Sequence, residues 1–307
     1  MKNDRNFEEN RYRDGFFRIS DAFVRECDSE FDLRLEGAVK ALWDGKHSRV
    51  IGLTGPTCSG KTTAAKKLIA HLEDEKRRVV TVSLDDFFKD QFSREVLKDI
   101  DPSKLDFDSP DTLDTEELGR FLDEIFRCGV AEKPIFDFIS GERAKWERVE
   151  FDEDDVLLFE GIQVLYPAVL SIIEQHGGSV MCVRPVSGIK VAERVFEPNL
   201  IRLCRRLVRD SNFRGATPEF TMSLWESVRR NEDLNIFPYV HLCDMTVDTT
   251  LPYELNVLAP YLRRLLSGKG EDAPHAEVFG KILEAFEEIE GIDSQVIAAR
   301  SLYKEFV

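Results

Sequence analysis

One stretch of the sequence decides the fold: Gly55-Pro56-Thr57-Cys58-Ser59-Gly60-Lys61-Thr62. It fits the GxxxxGK[ST] pattern, follows the apolar run 50–54 and precedes apolar residues at helical spacing. In such a strand-to-helix turn the backbone N–H groups surround phosphate oxygens, and the helix adds its positive dipole end. We therefore expect a phosphate-binding loop; the alternative is a chance glycine-rich turn.

The chemistry of this loop indicates a nucleoside triphosphate with Mg²⁺. We expect ATP, and the preference for ATP over GTP stays open. Lys61 would reach the β- and γ-phosphates, and Thr62 would ligate the metal. The loop alone does not separate a kinase from a GTPase or a motor ATPase, although an Asn-Lys-x-Asp sequence that would read guanine is absent. The predicted nucleotide-binding residues of the loop are Gly55, Pro56, Thr57, Cys58, Ser59, Gly60, Lys61, Thr62 and Thr63.

Short apolar runs alternate with helical stretches along the rest of the chain. After the run 50–54 they occupy residues 79–84, 156–159, 180–183 and 245–247. This alternation predicts a three-layer α/β P-loop fold, with a parallel sheet and helices on both faces. We expect this domain at 47–266, a helical N-terminal extension at 1–46 and a helical C-terminal extension at 271–307. The last of these would pack on the domain or on a partner chain, which leaves a homo-oligomer open.

Carboxylates follow two of the runs, where ligands bind in open α/β sheets. An acceptor hydroxyl needs a positioned carboxylate to take its proton, and Asp85 is our candidate. Its neighbour Asp86 is better explained as a helix cap. Glu160 ends the third run where a Mg²⁺ ligand belongs, so the predicted metal set is Thr62, Asp85 and Glu160.

The composition restricts the partners. The 42 Lys and Arg against 58 Asp and Glu give a net charge of -16, which disfavours nucleic-acid binding. The six cysteines form no CxxC pair, and nothing near the N-terminus has the apolar length of a signal peptide or membrane span. We expect a soluble, cytoplasmic protein with ATP and a small-molecule acceptor as partners.

Residues 188–235 have a helical pattern and form a basic island in this acidic chain. The arginines there are Arg194, Arg202, Arg205, Arg206, Arg209, Arg214, Arg229 and Arg230. Arginines of this kind offset charge on a transferring group and exclude water. A solvated helix face is the alternative.

From about residue 48 to 265 the chain resembles the uridine kinase and phosphoribulokinase family of P-loop kinases. The motifs that carry the resemblance occur in order at 55–63, 83–88, 107–111, 134–143, 159–162, 205–210 and 214–215. The resemblance implies an ATP-dependent kinase whose acceptor is the hydroxyl of a nucleoside or sugar-like alcohol. A nucleotide-binding regulatory module without acceptor chemistry is the rival hypothesis.

Site residues follow from the same resemblance. Asp85 would be the general base, Asp108 would bind sugar hydroxyls, and residues 188–235 would form a lid over the triphosphate. The catalytic set is Asp85, Lys61 and Arg209. The lid would supply Arg205, Arg209 and Arg214 to the nucleotide, and the acceptor site would contain Asp108, Phe107, Phe136, Phe138, Arg143 and Arg206. For the phenylalanines, core packing is an equal alternative.

Three positions differ from the family pattern. Uridine kinases place a histidine at Gly141, a tyrosine at Phe136 and an arginine at Ala216. All three polar groups that would read a pyrimidine are missing here. We therefore expect uridine and cytidine to be poor acceptors.

Overall fold

The computed structural model describes residues 12–90, 109–137, 140–268 and 274–307. Its strands are β1 Tyr12–Asp14, β2 Val50–Thr54, β3 Val79–Ser83, β4 Val130–Asp137, β5 Glu142–Glu150, β6 Val156–Glu160, β7 Ser179–Arg184, β8 Gly188–Val191, β9 Arg194–Phe196 and β10 Met245–Asp248. Its α-helices are α1 Asp21–Lys46, α2 Lys61–Asp74, α3 Thr115–Cys128, α4 Pro167–Gln175, α5 Pro198–Arg214, α6 Pro218–Asn231, α7 Glu254–Leu266 and α8 Ala276–Ala285.

A five-stranded parallel sheet in the order β10-β7-β2-β6-β3 forms the centre. Strand β2 lies in the middle, and its Leu53 is level with Glu160 of β6 and Met181 of β7. All five residues of β2 are buried, as a run covered by helices on both faces must be. The predicted strands and the α/β fold class are confirmed.

Two apolar clusters cover the two faces of this sheet. One contains buried residues of α1, α2, α5, α7 and α8, and the other those of α3 and α4. Helix α1 packs on α2 and on β10. The N-terminal residues 21–46 therefore belong to one of the helical layers. No helix in the described part of the chain is long and apolar enough to cross a membrane.

Residues 188–196 are strands, and the prediction of helix for them is wrong. Ile189 and Val191 are buried while Lys190 between them is exposed, which is the two-residue alternation of a strand. Ala192 adopts a positive φ of 51° at the turn, and β9 then returns antiparallel to β8. The helical part of the basic island begins only with α5 at Pro198.

The C-terminal residues pack on the helical layer that contains α2. Ile282, Phe286 and Ile289 are buried, as the predicted amphipathic pattern requires. The chain then ends in a 3₁₀ turn, Leu302–Glu305, which packs against α2. This brings the end of the chain to the phosphate-binding loop.

Candidate functional site

A cavity of about 490 Å³ opens at the carboxyl edge of the central sheet. It lies where β2, β3 and β6 end, which is the usual ligand position in open α/β sheets. Its lining comes from the loop, the strand ends, α5, α6 and the C-terminus: residues 57–62, Ser83, Asp85, Phe88, residues 160–163, Arg206, Arg209, Arg214, Val228, Asn231, Glu232 and Glu305. The separate sequence motifs therefore meet in one cavity.

The phosphate-binding loop, residues 55–62, is compact, and its carbonyl oxygens bind the side chain of Lys61. A Cβ atom on Gly55 would lie 2.0 Å from the carbonyl oxygen of Val183, so only glycine fits there. The Lys61 ammonium donates hydrogen bonds to the carbonyl oxygens of Gly55 at 2.8 Å and Pro56 at 3.3 Å. Burial lowers the pKa of Lys61, and the nearby charge of Glu160 opposes that shift. Phosphate oxygens would give this ammonium a better partner than carbonyl groups.

Asp85 lies in a 3₁₀ turn, Leu84–Phe87, directly after β3. Burial raises its pKa, whereas a hydrogen bond from Gln163 and the charge of Lys61 lower it. Its neighbour Asp86 is 2.7 Å from the Lys133 ammonium of β4. Of these two carboxylates, Asp85 lines the cavity, whereas Asp86 is held in an ion pair.

Gln163 is a site residue that the sequence analysis missed. It lies in the 3₁₀ turn Ile162–Leu165, is only 2% exposed, and its Nε2 donates to Asp85 Oδ1 at 2.7 Å. A Cβ atom on Gly161 would lie 2.4 Å from Gln163 Oε1, so this glycine leaves room for the amide. The one sequence signal was a polar residue in the otherwise apolar run 162–165.

Thr62, Asp85 and Glu160 line the cavity together. Among the residues that the structure describes, no group of three His, Cys, Asp or Glu could hold a metal ion. Mg²⁺ commonly takes one or two carboxylates and completes its shell with phosphate oxygens and water. Burial raises the pKa of Glu160, and a bound cation would favour its ionised form. The donor set therefore fits a Mg²⁺ ion that arrives with a triphosphate.

Three of the predicted arginines, Arg206, Arg209 and Arg214, reach the cavity from α5. All three lie close to the buried carboxylate of Asp210, at 3.3, 2.6 and 3.6 Å respectively. Arg206 also lies over the ring of Trp225, with 5.9 Å to the centroid. These contacts hold three positive charges in the cavity that the loop also lines.

Arg205 does not reach the cavity, contrary to its predicted contact with the nucleotide. Its side chain is fully buried and pairs with the equally buried Glu254 at 2.8 Å. The same guanidinium donates to the carbonyl oxygens of Thr249 at 2.8 Å and Cys58 at 3.2 Å. Arg205 thus supports the phosphate-binding loop from behind.

The predicted acceptor residues are only partly assembled. Phe136 is buried against Phe88, with 5.5 Å between ring centroids, and Phe88 lines the cavity. Arg143 binds Asp114 at 2.7 Å and the carbonyl oxygen of Phe88 at 3.1 Å, so it positions Phe88 and does not line the cavity. Phe107, Asp108 and Phe138 lie outside the described residues.

Comparison of the sequence with known proteins identifies the family of this chain. Residues 50–253 match the model of the phosphoribulokinase and uridine kinase family. The chain belongs to this family. Uridine kinase from Clostridium botulinum (strain Okra / Type B1) is 31% identical over 186 residues, which cover 60% of this chain and 80% of that protein. Uridine-cytidine kinase A from Dictyostelium discoideum is 30% identical over 230 residues, 74% of this chain but 42% of that protein.

Among solved structures, a chain described as a fructose transport system kinase from Silicibacter sp. TM1040 is similar with a TM-score of 0.49. It is 18% identical in sequence, and the match covers 69% of this chain and 98% of that one.

Proposed function

We propose that this protein transfers the γ-phosphoryl group of ATP to a hydroxyl group of a small molecule. The observation that carries the proposal is the shared cavity, which holds the loop lysine, the half-buried carboxylate of Asp85 and three arginines. A protein that only binds nucleotide has no need for a carboxylate positioned to take a proton. Membership of a kinase family supports the same conclusion.

The loop and α5 would bind and orient the triphosphate. The backbone N–H groups of residues 60–63 and the Lys61 ammonium offer donors to phosphate oxygens. Arg206, Arg209 and Arg214 lie across the cavity and would offset the charge of the transferring group while they exclude water. Mg²⁺, held through Thr62, Asp85 or Glu160, would neutralise phosphate charge when bound.

Asp85 would act as the general base. Its carboxylate would orient the acceptor hydroxyl and take its proton as the oxygen attacks the γ-phosphorus, while the bond to the departing ADP oxygen breaks. Burial raises the pKa of Asp85 and so brings its basicity closer to what a base at neutral pH needs. The amide of Gln163 holds one carboxylate oxygen in place and leaves the other for the substrate.

The acceptor would be a nucleoside or a sugar-like alcohol. Phe88, packed on Phe136, gives the cavity an apolar wall beside Asp85, and Arg206 offers a donor to hydroxyl oxygens. The names of the relatives point to ribosides, whereas Gly141, Phe136 and Ala216 lack polar groups that would read a pyrimidine. The sugar-like part of the acceptor is therefore the part that this site is best equipped to bind.

The test is ADP release with ATP, Mg²⁺ and a panel of nucleosides, pentoses and polyols. With the best acceptor, Asp85→Asn should lower kcat by about a hundredfold or more and leave nucleotide affinity unchanged. Asp86→Asn is the matched control, because Asp86 is paired with Lys133, and it should stay within a few-fold of the parent. If the parent bound ATP but released no ADP with any acceptor, the protein would be a binding module, and the proposal would fail.

A further inference from the structure

The C-terminal segment, residues 301–307, reaches into the phosphate-binding loop. Glu305 Oε1 accepts a hydrogen bond from the backbone N–H of Thr63 at 2.5 Å, and Glu305 lines the cavity. Thr63 is the third residue of α2, so its N–H has no partner within the helix. Such N–H groups at a helix start are the donors that bind anions. A carboxylate of the protein itself therefore occupies a donor that a phosphate would use.

The segment is firmly anchored on both sides of this contact. Leu302 lies against Gly60, where an added Cβ would be 2.0 Å from Leu302 Cδ1. Tyr303 is fully buried and donates its hydroxyl hydrogen to Glu254. Phe306 accepts a hydrogen bond from Asn212 of α5 through its carbonyl oxygen, at 3.1 Å. Residues 302–306 thus join the loop to the helix that carries the cavity arginines.

The charge of Glu305 acts on the other groups of the site. Burial lowers the pKa of Lys61, and the charge of Glu305 opposes that shift less than the charge of Glu160 does. Burial also acts to lower the pKa of Arg209, which is raised overall by nearby negative charge, with Glu305 a smaller contributor than Asp210. Burial raises the pKa of Glu160, the charge of Lys61 lowers it, and the charge of Glu305 makes a smaller contribution that raises it. The carboxylate is therefore close enough to influence both the cations and the acid that a triphosphate and its metal would meet.

We propose that Glu305 is an intramolecular competitor of the nucleotide, which lowers its affinity by holding the Thr63 N–H and by repelling phosphate charge. This inference rests on the proposed binding of ATP at the same loop. Glu305 is only half-buried, whereas Tyr303 and Phe306 are fully buried. Its side chain can turn away while the backbone stays anchored, so nucleotide binding would displace one carboxylate and leave the segment in place.

Glu305→Gln tests this, because the amide keeps the shape of the side chain and removes its charge. The dissociation constants of MgADP and of inorganic tripolyphosphate should each fall about tenfold by calorimetry, and KM for ATP should fall in parallel with kcat unchanged. Glu305→Ala should give the same direction. Lys304→Ala is the matched control, because Lys304 lies in the same turn but is exposed and binds Ser294.

Each outcome decides the matter. Equal affinities for the parent and Glu305→Gln would overturn the inference, and weaker binding by Glu305→Gln would make Glu305 a ligand contact, which also overturns it. If parent and variants were folded by circular dichroism and none bound ADP or tripolyphosphate, the proposed function would fail as well. Tighter binding without turnover on any acceptor would support the competitor and refute the kinase.

Discussion

Replacement of Arg205 by methionine tests whether this arginine supports the loop or contacts the nucleotide. Methionine fills a similar length without charge, so the variant removes the pair with Glu254 and the hydrogen bonds to Thr249 and Cys58. Glu254 would remain buried, with the Leu251 N–H and the Tyr303 hydroxyl still donating hydrogen bonds to it. Removal of one partner of a buried pair costs about 3–5 kcal/mol. For a chain of this size we expect a fall in Tm of roughly 5–8 °C.

Thermal unfolding followed by circular dichroism measures this effect. Arg214→Met is the matched control: its side chain is 60% exposed, so stability should change by less than about 0.5 kcal/mol while nucleotide affinity falls. In the double variant Arg205→Met, Glu254→Gln, part of the stability should return because no unpaired charge stays buried. An Arg205→Met protein with the parent's Tm and a selective loss of nucleotide affinity would refute the supporting role.

Three further outcomes concern the cavity. Lys61→Ala should abolish turnover and strongly weaken triphosphate binding by calorimetry with the fold intact, since the ammonium donates hydrogen bonds to the carbonyl oxygens of Gly55 and Pro56 in its own loop. Gln163→Leu should move the acid limb of kcat/KM to higher pH, because it removes a hydrogen bond that favours ionised Asp85; a lower kcat with an unmoved limb would indicate a purely structural role. Asp85→Asn should keep or raise Tm at pH 7. The pKa of Asp85 in the folded protein is raised from the ordinary 3.8, so stability falls as the pH rises through the folded-state pKa and Asp85 ionises. Asparagine has no such ionisation.

The central sheet could be predicted because each of its strands is a short apolar run next to a helical pattern. Strand β6 shows why: Val156 to Phe159 are all buried, and Glu160 alone turns toward the cavity edge. The motif identified the loop after β2. Because parallel strands end at the same edge of a sheet, Asp85 after β3 and Glu160 at the end of β6 could then be predicted to lie near that loop. Residues 188–196 were misjudged because two short strands give too few residues to distinguish a period of two from a helical one.

Helical spacing could have separated Arg205 from the other arginines. Two of its neighbours one turn away on α5, Ile201 and Val208, are apolar and buried in the core. At the same spacings Arg206 has two charged neighbours: Arg202, which is buried, and Arg209, which lines the cavity. The spacing of apolar residues along α5 therefore places Arg205 next to the core. The family motif does not show this, because it treats residues 205–210 as one block.

Long-range contacts set the limit of the sequence analysis. Gln163 and Asp85 are 78 residues apart, and Glu305 and Thr63 are 242 residues apart. No local spacing, charge pattern or strand-end rule relates such positions. The loop residues could be assigned because a continuous motif defines them, whereas the contacts of Gln163 with Asp85 and of Glu305 with the loop emerge only from the folded chain.

Uridine and cytidine should be poor acceptors compared with another molecule that presents a similar hydroxyl. Gly141 has a φ of 76° and closes a turn by donating its N–H to Asp137 at 2.7 Å, so this position favours glycine over a side chain that could read a base. Phe136 is packed on Phe88 and has no hydroxyl to offer. Each missing hydrogen bond is worth on the order of 1 kcal/mol, so three losses could cost a hundredfold or more.

The retained groups give the opposite expectation for the sugar. Arg206 lines the same cavity as Asp85. It would donate to vicinal hydroxyls, so ribosides or polyols should outperform deoxy analogues. The deciding measurement is kcat/KM for uridine, cytidine, purine nucleosides, ribose and inositol under one condition. The highest value for uridine or cytidine would mean that other residues of this cavity read the pyrimidine, because Gly141, Phe136 and Ala216 have no polar side-chain atom with which to do so.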